Sequence, residues 1–116
     1  MAGLRKTITV FIKNDELKMM NAKKNEGVPM TVFYRELVRE GWRHKEELKF
    51  DEKYVLKQDG VWAHINFFLP LDEAREHDEL RTKGTGYRGK MPMTTFYLQL
   101  LKIGWRHKFE TSKPSP

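Results

Sequence analysis

Residues 7–12 alternate strictly, with Ile8, Val10 and Ile12 on one parity and Thr7, Thr9 and Phe11 on the other. Residues 64–69 repeat the alternation, with Ile65, Phe67 and Leu69 set against His64, Asn66 and Phe68. A period of two marks a half-buried strand, so two strands are predicted, each with an aliphatic side for the core. A helix is predicted from residue 14 or 15 to about residue 26, on Leu17, Met20 and Met19, with Asn14 or Asp15 as N-cap and Gly27 as stop. Its counterpart starts near residue 71 or 72, after Pro70, and fades by residue 81 along a weak stripe of Ala74, His77 and Leu80. A stronger helix follows each of these. Phe33, Tyr34, Leu37, Val38, Gly41 and Trp42 fall at i, i+1, i+4, i+5, i+8 and i+9, and Phe96, Tyr97, Leu100, Leu101, Gly104 and Trp105 repeat that spacing. One broad apolar face results, with Thr31 and Thr94 as candidate N-caps.

The chain is thus a duplication. Residues 29–45 and 92–108 are identical at eleven of seventeen positions. Upstream the likeness is weaker, and its register differs by six residues, which places a six-residue insertion in the second copy around residues 82–90. Each copy reads strand, helix, turn, helix. One copy alone leaves a ladder edge and an apolar face exposed. Antiparallel pairing of the two strands removes both problems and turns the other side of the ribbon outward. The expected organisation is one domain over residues 1–116. Repeat 1 occupies residues 5–45, and repeat 2 residues 62–109 with the insertion. Residues 46–61 join them as a linker or, from Asp59-Gly60, a hairpin, and residues 110–116 form a frayed tail.

Composition narrows the function classes. The 116 residues carry 22 Lys and Arg against 16 Asp and Glu, a net charge of +6, which favours polyanionic partners such as nucleic acid or an anionic membrane surface. Cysteine is absent, which excludes disulfides, cysteine-ligated zinc and cysteine nucleophiles and fits a reducing cytoplasm. No apolar run approaches the length of a membrane span, and no signal peptide is expected. Serine occurs only at Ser112 and Ser115, and no nucleophile–base pair stands out, so no catalytic residue, cofactor or small-molecule substrate is expected.

The string from Thr7 through Leu17, followed by a helix, a glycine turn and Met30-Thr31-Val32-Phe33-Tyr34-Arg35-Glu36-Leu37-Val38-Arg39-Glu40-Gly41, resembles the ribbon-helix-helix superfamily of MetJ, Arc and CopG type. The likeness covers nearly the whole chain, twice, as in TraY-type proteins where two halves are fused. It implies a mainly α fold with a two-stranded antiparallel β-ribbon, a tandem ribbon-helix-helix pseudo-dimer in one chain. It also implies that the ribbon enters the major groove of double-stranded DNA. The N-terminus of each second helix would hold a phosphate through free amides and the helix dipole.

Carried onto this chain, the resemblance makes Thr7, Thr9, Phe11, His64, Asn66 and Phe68 the base-contacting residues. Asn can pair with adenine, Thr can meet a thymine methyl, and His can donate or accept. An ordinary polar strand face is the plainer alternative. Phe11 and Phe68 depart from the polar or basic residues usual there, and either touch thymine methyls and sugars or are covered by protein. Arg5, Lys6, Thr31, Thr94, Lys83, Arg88 and Lys90 are the expected phosphate contacts; Arg5 and the basic insertion could equally be solvated surface. Gly84-Thr85-Gly86-Tyr87-Arg88-Gly89 matches GxGxxG, but it follows no strand, so a dinucleotide site is rejected. Trp42 and Trp105 read as core or interface anchors. For His44 and His107 no Cys or carboxylate partner is expected at ligand spacing, so no metal is expected.

The functional expectation is a sequence-specific DNA-binding protein of the cytoplasm and nucleoid, a transcriptional repressor or autoregulator of plasmid or viral type. A relaxosome or recombination accessory protein of conjugation is the near alternative. A protein-interaction module on the same fold is the alternative from another class. A second copy bound alongside on DNA is compatible with all three.

Overall fold

The computed structural model describes residues 4–49, 62–83 and 91–110. In chain order it runs β1 (Arg5–Lys13), α1 (Asn14–Asn21), α2 (Met30–Arg43), a 3₁₀ turn at Lys45–Glu47, β2 (Trp62–Pro70), α3 (Leu71–Lys83), α4 (Met93–Trp105) and a π-helical turn at Arg106–Glu110. The strands pair antiparallel as a two-stranded ribbon, with Thr9 opposite Asn66 at the centre and Arg5 opposite Pro70 at one end. The alternation of the sequence decides what each side of the ribbon does. Ile8, Val10, Ile12, Ile65, Phe67 and Leu69 are all buried in the single apolar cluster that the helices complete. Each such side chain contributes about 1.5–3 kcal/mol when taken out of water.

Helices α2 and α4 cross at closest range where glycine stands. A Cβ on Gly41 would fall inside the van der Waals envelope of the Leu100 carbonyl, and a Cβ on Gly104 inside that of the Leu37 carbonyl. The contact is reciprocal, because Leu37 and Leu100 occupy equivalent positions of the repeat. The ion pairs between the copies are reciprocal too. Arg39 on α2 makes a two-pronged bridge to Glu73 on α3 (2.9 and 2.8 Å), and Lys102 on α4 reaches Glu16 on α1 at 2.9 Å. Glu73 holds the Arg39 guanidinium even more firmly protonated than usual. Trp42 packs its ring 4.4 Å from buried His77, while Trp105 lines a groove with Met20, the equivalent of His77.

Several boundaries differ from expectation. Helix α1 ends at Asn21, five residues early, because beyond Met20 the next inward positions are Lys23 and Lys24. The chain turns there instead. Lys24 Nζ donates to the Val28 carbonyl at 2.8 Å, and Gly27 takes a φ of +84°, which glycine alone adopts without strain. Helix α3 runs two residues further than expected, to Lys83. Thr31 and Thr94 are not N-caps. Both helices start two residues earlier than such caps would set, with Pro29 and Pro92 as caps (φ −59° and −57°) whose carbonyls accept from Phe33 and Phe96 at 3.0 Å. The prolyl ring fixes the φ that the first turn needs, and the threonines fall inside that turn.

The surroundings of the two long helices diverge. Helix α4 is buried on nearly every side, including Leu98, Gln99 and Ile103. On its outer side the Gln99 amide donates to Met91 Sδ at 3.7 Å, and Met91 and Leu48 are both buried. The Gln99 side chain accepts from the Lys49 amide at 2.8 Å and donates to its carbonyl at 3.0 Å, as a neighbouring strand would. The expected linker hairpin, the expected insertion beyond residue 83 and the expected tail beyond Glu110 lie outside the described residues; Glu110, expected to open that tail, instead closes the π-helical turn.

Candidate nucleic-acid interface

The outward side of the ribbon presents Arg5, Thr7, Thr9, Phe11, His64 and Asn66, all exposed, together with half-buried Phe68. They lie together because they share one parity and the register sets Thr7 opposite Phe68, Thr9 opposite Asn66, and Phe11 opposite His64. The Thr9 hydroxyl donates to Asn66 Oδ1 at 2.7 Å, which orients the carboxamide at the centre of the face. Arg5 lays its guanidinium 4.4 Å over the Phe68 ring, and Phe11 meets His64 edge-on with centroids 6.1 Å apart. The aromatic side chains are therefore partnered within the face rather than buried by a helix, and Phe11 remains 50% exposed.

Beside the ribbon stand the N-termini of α2 and α4. Neither has an acidic residue in its first turn or a side-chain cap, so the first-turn amides carry the positive end of the helix dipole with no compensating carboxylate. The Phe11 amide donates to Thr94 Oγ1 at 2.7 Å, which ties the start of α4 to the edge of β1. Thr94 is thereby committed to the ribbon, and Thr31 sits half-buried in the matching turn of α2.

The expected phosphate contacts are only partly assembled. Arg5 lies on the outward side. Lys6 has the opposite parity and lies 3.6 Å from Asp78. Lys83 lines a groove with Trp42, Lys45, Glu76, Glu79 and Leu80, at the end of α2 away from its open amides. Arg88 and Lys90 lie outside the described residues. Sequence reading passed over Lys13, which shares the outward parity one step beyond Phe11; the strand continues to it, and the parity was the available signal.

At the far ends of α2 and α4 a second group of polar side chains converges. The His44 and His107 rings stack with centroids 3.6 Å apart and planes 1° from parallel. Glu47 binds His107 Nε2 through Oε2 and Arg106 through Oε1, the latter at 2.7 Å. His44 Nε2 lies 3.3 Å from Glu40 Oε2. The expectation that no carboxylate recurs at ligand spacing fails on the sequence itself: His44 is followed three residues on by Glu47, and His107 three residues on by Glu110.

Among the described residues no helix is long and apolar enough to cross a membrane. Comparison of the chain with protein-family models, with curated proteins and with solved structures found no match in any of the three.

Proposed function

We propose that the chain is a tandem ribbon-helix-helix protein that binds double-stranded DNA by laying the outward side of its β-ribbon into the major groove. The observation that carries this reading is the ribbon face itself: exposed, polar at its centre and uncovered by the protein's described elements. A two-stranded ribbon fits the major groove, where every base pair presents a distinct set of donors and acceptors. Asn66, oriented by Thr9, is the residue for an adenine edge. Thr7 and Phe11 meet thymine methyls, and His64 donates or accepts. The open first turns of α2 and α4 flank the ribbon and hold a phosphate on either side. The reciprocal contacts of Gly41 with Leu100 and Gly104 with Leu37, and of the ion pairs between the copies, support the reading of two halves related as the subunits of a dimer.

The role is steric. A bound chain occupies its site and excludes other machinery, as a repressor or autoregulator of its own promoter does. On this reading its place is the nucleoid. Because Thr7 and Thr9 in one half stand where His64 and Asn66 stand in the other, the recognised sequence is asymmetric. Selection from random duplex DNA with purified protein tests this. An asymmetric motif is expected, and Asn66→Ala should relax preference at one or two positions by about 1–3 kcal/mol each. A perfect palindrome for a single chain contradicts the assignment of the halves. Absence of any selected motif, with flat salt dependence, supports instead a protein-interaction surface, the reading that the half-exposed Phe11 favours.

A further inference from the structure

The second polar cluster lies at the opposite end of the molecule's long helices from the open amides and has no part in the reading above. We propose that His44, His107 and Glu47 form a binding site for a divalent transition-metal ion of the zinc class. One ring nitrogen of each histidine and one carboxylate oxygen of Glu47 lie within 4.8 Å of one another. Tetrahedral zinc at bond lengths of about 2.0–2.1 Å needs its ligand atoms about 3.4 Å apart, so the side chains must rotate to close the site. The stacked rings aim their lone pairs along parallel planes, and one ring must swing out of the stack to share an ion. Two imidazoles and a carboxylate select zinc, cobalt or nickel over magnesium or calcium, which prefer all-oxygen sites.

Two further features favour a cation here. His44 is the C-cap of α2, so the negative end of that helix lies at the site. The outer groups are also in position. Arg106 holds the second oxygen of Glu47, and Glu40 lies beside the ring of His44 while Arg43 binds its other oxygen at 2.7 Å. Such partners orient metal ligands. The ion would bind one histidine from each repeat and staple the two halves together at the end remote from the ribbon.

The test uses full-length protein without an affinity tag, stripped with chelator and titrated with Zn²⁺ by calorimetry. One saturable site per chain is expected. His44→Gln, His107→Gln and Glu47→Gln should each weaken it at least tenfold, while His64→Gln on the ribbon leaves it unchanged. Imidazole NMR on the wild-type chain gives an answer even if a variant fails to fold. Zn²⁺ should shift the His44 and His107 resonances and leave those of His64 and His77 in place. Absence of saturable binding, shifts confined to His64, or His44→Gln and His107→Gln chains that bind as tightly as wild type would overturn the proposal.

Discussion

Helices α2 and α4 begin with almost the same residues and run into the same Gly-Trp-Arg-His at their ends, where each leaves α-helical geometry, yet one is a surface helix and the other a core helix. The difference sits on the outer side. Arg35, Glu36 and Glu40 of α2 become Leu98, Gln99 and Ile103 in α4. The inward pattern, from Phe33 and Phe96 to Gly41 and Gly104, is shared, because both helices must pack on the same ribbon and on each other. The outer pattern differs where Lys49 and Met91 meet Gln99 of α4, a position that Glu36 occupies in α2. The lesson is that the two helices match where they pack on each other and on the ribbon, and differ where only one of them is buried on its outer side.

The largest effect should come from exchanging the outer residues. Ile103→Glu places an unpaired carboxylate in an apolar surround and should cost about 3–5 kcal/mol. The reverse change, Glu40→Ile, loses only surface pairs with Arg43 and His44 and should cost less than about 1 kcal/mol. Urea unfolding of the two variants measures the contrast; equal costs would break it.

His77 sharpens the comparison at the next level. Burial lowers its pKa to about 4, from an ordinary value near 6.5, and it lies 3.1 Å from the buried Tyr97 hydroxyl. The unfolded chain therefore binds this proton first as pH falls. The stability associated with neutral His77 is intact above about pH 6.5 and is lost towards pH 4, a change of about 3 kcal/mol. His77→Met gives the second copy the residue that the first has at Met20. It should flatten this part of the pH–stability curve, read from thermal unfolding between pH 7.5 and 4.

The shared surface should respond alike in both halves. Gly41→Ala and Gly104→Ala each force a methyl into a backbone carbonyl of the other long helix and should each cost about 2–3 kcal/mol. A large cost at one glycine and none at the other would show that the reciprocal crossing is not what holds the helices.

Much of the fold was legible because its signals are local. Ile8, Val10 and Ile12 alternate, Ile65, Phe67 and Leu69 alternate, and one apolar stripe runs through each long helix. The early end of α1 was legible in principle, since Lys23 and Lys24 offer nothing to bury. The caps were misread because threonine is the commoner cap, and the preceding proline supplied the helix start instead. The cover over α4 was not legible. Leu98 and Ile103 announce burial, but nothing near Gln99 in sequence names the Lys49 backbone as its partner. The outward ribbon residues followed from parity alone. The cation–π contact of Arg5 with Phe68 needed the register, which places residues from distant segments side by side. The meeting of His44 with His107 needed the crossing of two helices.

The most direct test of the ribbon as the DNA-reading surface is amide NMR of the chain titrated with a short duplex at low salt. Shifts are expected at Thr7, Thr9, Phe11, His64 and Asn66 and at the first-turn amides of α2 and α4. Raising the salt should weaken binding with a log–log slope of roughly −5, for about six phosphates. Shifts confined to the groove around Trp42 and Lys83, or none at all while the duplex is in excess, would contradict the account.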